Sequence, residues 1–425
     1  MNVKLSTEGL YKVGVRSWGD VGIVGRGVGS EFTVGDSYVI RKPSDAKDLF
    51  GESSALYNSI LLLFSNGATK VIVVPAAVTA QSQETFSGDA NQTEFTLSEI
   101  PAQPMDSVQI ASVPQIEGED FYVDYGNKKV IFYDPPASGT DNITIDYSLH
   151  TLLQVQNALT VLEDEDVQLV LGAMMFDSAL LGAIKTHCIA MENESPRLGI
   201  YMLKNGETDT TLATTLGSKL STLIAHKSLK DKAAALCGLI AGLKPWEDLT
   251  MRPLLNTEQS SRFTSTQVAA FDAVHIITAI DPPKLTGNAF VVSTGWTLDG
   301  TGSYTFIDQI RTAHHIASVI SYGITNPNVI GKMRMNRNGL RELDSYMRSL
   351  LNPWVKAGAI DGYDFSNPAK DLFELDNPNS SDIAEIQALQ ASRRLEGAYI
   401  IRAECIYSGT IIYIDFELSL IGGVV

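Results

Sequence analysis

The closing stretch, Gly397 to Ile421, constrains this chain most. It reads GAYIIRAECIYSGTIIYIDFELSLI. Tyr399, Ile401, Ala403, Cys405 and Tyr407 fall on one side of an extended segment. Ile412, Ile414, Phe416, Leu418 and Leu420 do the same in a second, with Asp415, Glu417 and Ser419 opposite. Period two over that length predicts two half-buried strands, with Ser408-Gly409 as the hairpin turn between them. A lone hairpin is marginal in water and needs more strands or a helix against it. The segment before it, Asp382 to Leu395, reads as helix, so no third strand is expected nearby. At the other end, Leu10 to Arg16 (LYKVGVR) is extended, with Tyr11, Val13 and Val15 on one face and no local partner. Two unpaired β ends on one chain point to pairing between chains.

The rest of the chain supports a sizeable core. Its 425 residues are 44% hydrophobic and 19% charged, with room for about three domains. The net charge of −17 disfavours nucleic acid and anionic membranes as partners. It also repels separate copies at low salt, so assembly needs specific contacts and should respond to ionic strength. No stretch is long and apolar enough to span a bilayer, and MNVKLSTEGL lacks a signal-peptide run. Cys188, Cys237 and Cys405 are far apart in apolar contexts, as expected of buried free thiols in a chain made and kept in a cytoplasm.

Taken in order, residues 1–18 form an extended arm. Val21, Ile23 and Val24 make a short buried strand, left through Gly25, Gly27 and Gly29. A short helix follows with Ser44 as N-cap, then a second capped by Ser53 or Ser54 and stopped at Asn66-Gly67. Lys70 to Pro75 is a near-continuous apolar strand, as in a sheet covered on both faces. From 79 to 150 the helical period is lost. Short alternating runs appear at Glu94–Leu97, Ser107–Ala111, Phe121–Tyr125, Lys129–Tyr133 and Asn142–Tyr147, separated by turn clusters. These predict a small β-sandwich inserted into the α/β unit. The α/β pattern then resumes. Leu152–Leu162, Ser178–Met191, Thr210–His226, Tyr304–Tyr322 and Leu340–Ala357 read as helices. Val167–Met174, Arg197–Met202, Phe271–Ile280 and Ala289–Ser293 read as strands. Near the C-terminus Asp382 is the expected cap of a helix, with Glu385 as its capping-box partner.

Motifs for chemistry are sparse. Gly22, Gly25, Gly27 and Gly29 follow a strand, but no helix opens directly after them and there is no Gly-Lys-Ser/Thr. They read as a loop crossing close to other backbone rather than a nucleotide site. His150, His187, His226, His275, His314 and His315 show no HxxxH or HExxH, and zinc needs three or four convergent ligands. Glu163-Asp164-Glu165-Asp166 lacks the calcium-loop pattern and reads as a solvated face. No GxSxG is present, Arg393-Arg394 is a small basic spot, and the four tryptophans are scattered. The pattern points away from catalysis, metal and cofactor.

Several stretches in order resemble one family. VGIVGRG, PSDAKDLFG and NGATKVIVVPA are similar to the opening of contractile phage tail sheath proteins, the sheaths of myovirus-type tails and contractile injection systems. FDAVHIITAIDPPKLTGNAFVVSTGWTLDGTGSYTFIDQIRTAHHI, LNPWVKAGAIDGYDF and the closing strands resemble the family too. The likeness covers most of the chain apart from 79–150, which itself resembles β-modules decorating phage structural proteins. The helix Asp382–Leu395 is longer than the family pattern leads one to expect.

The resemblance implies a structural subunit that stacks as hexameric rings around an inner tube. Contraction would drive that tube through a host envelope. N- and C-terminal arms of neighbours would add strands to a third subunit's C-terminal sheet through Tyr11, Val13, Val15, Ile412, Ile414, Phe416, Leu418 and Leu420. Partners would be further copies, the tail tube protein, and the baseplate and tail terminator proteins. The location would be the virion tail, reached from the host cytoplasm, without nucleic acid or membrane insertion.

The expected fold is thus multidomain α+β and α/β. It has an arm (1–18), a mixed-sheet α/β core (19–78 and 151–357), an inserted β-sandwich (79–150) and a C-terminal α+β domain with exchanged strands (358–425). The alternatives are another self-assembling surface or appendage subunit, or an α/β enzyme with a β-sandwich accessory module.

Overall fold

The computed structural model describes residues 18–256, 258–259, 261–281, 290–300, 302, 304–325, 337–366, 371, 374–376, 378–392 and 402–407. By contact density the chain divides into two compact units, one covering residues 17–310 and one beginning at Arg311.

The first unit is built on an eight-stranded sheet. Its strands are β1 (Val21–Gly25), β2 (Tyr38–Ile40), β3 (Val71–Pro75), β13 (Leu169–Gly172), β14 (Leu198–Met202), β15 (Ser221–Ala225), β16 (Ile277–Ile280) and β17 (Val291–Val292). Their order is β17-β16-β15-β14-β13-β1-β3-β2. The six central strands run parallel, and β2 and β17 close the edges antiparallel. β1, β3, β13, β14 and β15 are buried at every position, as a sheet with helices on both faces requires.

Among the described residues seven helices serve this sheet: α1 (Pro43–Phe50), α2 (Ala55–Asn66), α3 (Leu152–Glu163), α4 (Ser178–Ala190), α5 (Thr211–Leu216), α6 (Lys232–Gly242) and α7 (Ser265–Asp272). Ser54 caps α2, and Thr151 with Gln154 closes a capping box on α3. α2 and α6 pack closely because Gly238 has no side chain; a Cβ there would sit 2.4 Å from the Leu63 carbonyl oxygen.

Three expectations fail locally. Thr210–His226 is not one helix: α5 ends at Gly217, and Ser221–Ala225 is strand β15. Leu212, Leu216, Leu220, Leu223 and Ile224 keep a helical spacing across the break, so the run reads as one continuing helix. Phe271–Ile280 is not one strand, because α7 runs through Phe271 and only Ile277–Ile280 is extended. Ser44 does not cap α1. The helix opens at Pro43 after Lys42, with no side-chain cap; Pro at the first helical position supplies the helical φ instead.

Between β3 and α3 the chain is all strand. β4 (Thr79–Ala80) pairs with β12 (Ser148–Leu149) where the segment leaves and rejoins the core. One sheet has the order β5-β11-β7-β8, from Glu84–Gly88, Gly139–Asp146, Ser107–Ile110 and Val113–Pro114. The other has the order β6-β10-β9, from Glu94–Thr96, Lys129–Phe132 and Phe121–Asp124. Phe86 of the first sheet meets Phe95 of the second at 5.5 Å between ring centres, and the series continues through Phe132 to Phe121.

The unit beginning at Arg311 contains the greater part of α8 (Ile307–Thr325), then α9 (Arg337–Lys356), β18 (Ile360–Ser366), α10 (Ser380–Ser392) and β19 (Arg402–Tyr407). Among the described residues no helix is long and apolar enough to cross a membrane.

Candidate inter-subunit interface

The C-terminal sheet starts with a chain reversal. After α9, Gly358 takes φ +72°, a left-handed conformation that glycine adopts without steric cost. The Ala357, Gly358 and Ala359 N–H groups bond back to Pro353, Val355 and Trp354 carbonyls. The chain then runs out as β18. Ile360 is buried with Ile316 and Leu351, and Trp354, Val355 and Tyr363 pack against them. The Tyr363 hydroxyl donates to Asn352 Oδ1 at 2.8 Å. One side of β18 is therefore fixed on α9.

β18 pairs antiparallel with β19, from Ile360 opposite Tyr407 to Ser366 opposite Arg402, with a register shift between Ile360 and Gly362. For the first of the two final strands this corrects the expectation of no further strand nearby; the second lies outside the described residues. The shift breaks the alternation of Ile360, Tyr363 and Phe365, so the sequence hides the strand. Among the described residues β18 and β19 pair only with each other. A two-stranded sheet is marginal by itself and is stabilised by added strands.

The predicted exchange residues Tyr11, Val13, Val15, Ile412, Ile414, Phe416, Leu418 and Leu420 lie outside the described residues, as does the Ser408-Gly409 turn. The cap of α10 is Asn379 rather than Asp382. The Asn379 side chain accepts from the Ser381 and Asp382 N–H groups, and Asp382 accepts from the Asn379 N–H at 2.9 Å. Asp382 is thus the inner partner of the capping box.

The place where a small ligand would sit is occupied by the protein itself. In a doubly wound sheet that place is the crevice beyond the strand ends where the order reverses, here between β1 and β13. The glycine run leaves β1 into it. The Val28 and Gly29 N–H groups donate to the Phe50 carbonyl, and a Cβ on Gly29 would sit 2.0 Å from the Leu49 oxygen. These amides close a backbone crossing and are not presented to a phosphate. Deeper in, the buried carboxylate of Asp231, its pKa raised by burial, accepts from the Ser59 hydroxyl, the Met174 N–H and the Ala234 N–H. The β-rich segment covers the rest. A cavity of about 80 Å³ is left between Glu99, Ala102 and His150 on its side and Met174, Phe176 and Leu180 of the core.

The remaining titratable candidates are scattered. Burial holds His150 and His187 down to about 4 and His226 to about 3. His275 stacks on Trp296, with ring centres 4.7 Å apart. The acidic run is a turn organised by Arg197, a fully buried guanidinium that donates to the Leu162, Glu163 and Glu165 carbonyls and to His187 Nε2. Sequence reasoning missed Arg197 because its acceptors are main-chain oxygens. Cys188 and Cys237 are buried, and burial pushes the Cys188 thiol up to about 12. Among the described residues no cluster of three or more His, Cys, Asp or Glu is placed to hold a metal ion.

Comparison with known proteins places the fold. No family model and no curated protein matches the sequence. Solved structures do match. A sheath tail protein from Desulfitobacterium hafniense superposes with a TM-score of 0.55 at 13% identity, over 87% of this chain and 94% of that one. A chain of the anti-feeding prophage baseplate gives 0.60 at 12% identity over 99% and 98%. One from the contracted helical sheath of the same particle gives 0.60 at 11% over 99% and 98%. The chain has the fold of contractile tail sheath proteins.

Proposed function

We propose that this chain is the structural subunit of a contractile tail sheath. Copies polymerise as stacked hexameric rings around an inner tube, and contraction drives that tube through a host envelope. The observation that supports the reading is the β18–β19 sheet, which among the described residues has no further strand, in a chain whose fold matches contracted sheath structures along 99% of its length.

Arms from neighbouring copies complete that sheet. Tyr11, Val13 and Val15 of one arm, and Ile412, Ile414, Phe416, Leu418 and Leu420 of the other, supply its inward side chains. Each main-chain hydrogen bond so formed is worth about 1 kcal/mol net, and several per arm make a persistent link. Within each subunit 19–78 and 151–357 act as the α/β core, 79–150 as an inserted β-sandwich and 358–425 as the linking domain. Partners are further copies, the tail tube, the baseplate and the tail terminator, and the location is a virion or particle tail. No catalysis or cofactor enters this role, and the crevice filled by Asp231, Ser59 and the Gly29 crossing speaks against the enzyme alternative.

Electron microscopy of the purified chain is the test. Tubes or six-fold rings are expected; a monomer at all concentrations and salts would count against a sheath.

A further inference from the structure

Two exposed patches in the first unit are apolar at the centre and opposite in charge. The first lies on the β-rich segment. Val113, Ile116 and Tyr133 are each more than half exposed, and the Tyr133 ring lies 5.6 Å from that of Tyr122. Asp120 joins two of them: its carboxylate accepts from the Ile116 N–H at 2.8 Å, and its carbonyl accepts from the Tyr133 N–H at 3.0 Å. Glu119, Asp120 and Asp134 form an exposed rim. Residues 79–150 carry twelve acidic side chains against Lys128 and Lys129, so they hold −10 of the chain's −17. Lys129 pairs with Glu94, and Lys128 donates to the Ser98 carbonyl. The patch is at the far end of the β9–β10 hairpin from Asn127, which holds the core through the Asn205 carbonyl at 2.9 Å.

The second patch lies on the α/β core. Leu229, Met251 and Leu255 are each more than 40% exposed. The Leu255 N–H donates to Asn66 on α2, and Lys230 reaches the Asn256 carbonyl and Glu258. Lys230 and Arg252 flank the leucines. Residues 227–262 hold six basic and four acidic side chains, a net +2 within a strongly acidic chain.

We propose that these patches are two halves of one contact: the acid-rimmed Tyr122–Tyr133 patch of one copy docks on the Leu229–Leu255 patch of a second copy. This rests on the self-assembly reading above and names a surface for it. An acidic patch does not pair with itself, so each contact joins unlike surfaces of two copies, and used head to tail such a contact propagates from copy to copy.

The test uses full chains in sedimentation. One variant carries Glu119→Lys with Asp134→Lys, the other Lys230→Glu with Arg252→Glu. All four residues are on the surface, so melting temperatures should stay near the parent's. Alone, each variant should need about tenfold more protein to polymerise at low salt, with a smaller deficit at high salt. Mixed in equal amounts they should co-polymerise near the parent's threshold, because each offers the complement the other lost. Both stay strongly acidic, so bulk attraction cannot cause the rescue. A parent that polymerises while both variants match it, or a mixture that is not rescued, overturns the pairing alone. A parent that stays monomeric overturns the self-assembly reading with it.

Discussion

Arg26, where the chain leaves β1, forms an ion pair with Asp106, eighty positions along in the β-rich segment. The same guanidinium donates to the Ala102 and Pro104 carbonyls at 2.9 and 2.7 Å, and the Ser148 hydroxyl donates to the other Asp106 oxygen at 2.7 Å. One cation therefore binds three acceptors of the segment to the mouth of the core sheet, and Asn127 with Asn205 makes a second tie. The β-rich segment is thus bonded to the α/β core at two places besides its chain connections.

Arg26→Ala should accordingly cost about 2–3 kcal/mol, because it leaves two carbonyls and a part-buried carboxylate without their donor. Hydrogen exchange should quicken most at 100–106 and 147–150. Unchanged protection there, beside a lowered melting temperature, would show that the tie does not hold the segment.

The buried histidines set an acid limit. His150 and His226 titrate near 4 and 3 when folded, against an ordinary 6.5, chiefly through burial. Below about 6.5 the unfolded chain takes up protons that the folded chain refuses, so stability falls between about pH 6.5 and 3, and these groups contribute no slope above about pH 7. Melting temperatures across that range check the sign, and His226→Gln should flatten part of the slope.

Two helix glycines separate close packing from chain flexibility. Gly182→Ala in α4 meets nothing within 4 Å and should stabilise by about 0.5–1 kcal/mol through helix propensity. Gly238→Ala in α6 drives a methyl against the Leu63 carbonyl and should destabilise by about 1–3 kcal/mol. Chemical denaturation of both variants gives the comparison; equal effects would remove the close α2–α6 approach from the account.

The glycine run supplies a binding prediction. Since the Val28 and Gly29 amides bond to Phe50, millimolar ATP or phosphate should leave the melting temperature unchanged. A concentration-dependent rise would show an anion site there.

What the sequence made legible follows from where each signal is stored. β1, β3, β13 and β14 were readable because each is a short apolar run between turn or capping residues. β11 and the β9–β10 hairpin were readable because one face is wet and alternation survives. β15 was lost because Leu212, Leu216, Leu220, Leu223 and Ile224 keep a helical spacing across the end of α5. β18 was lost because a bulge interrupts its pattern, and with it the sheet that forms the proposed interface. Arg197 and Arg26 were invisible for a different reason. Their acceptors are carbonyls and a carboxylate remote in sequence, and no local pattern marks a buried cation whose partners are assembled only by the fold.

The most direct measurement on the proposed linkage is sedimentation of Val13→Pro beside the parent at matched concentration, with melting temperatures for both. Proline removes a ladder donor and blocks a strand. If the N-terminal arm is donated to a neighbour's β18–β19 sheet, the variant melts like the parent but stays monomeric or stops at small oligomers, while the parent forms long assemblies. A Val13→Pro chain that polymerises as the parent does would contradict strand donation by this arm.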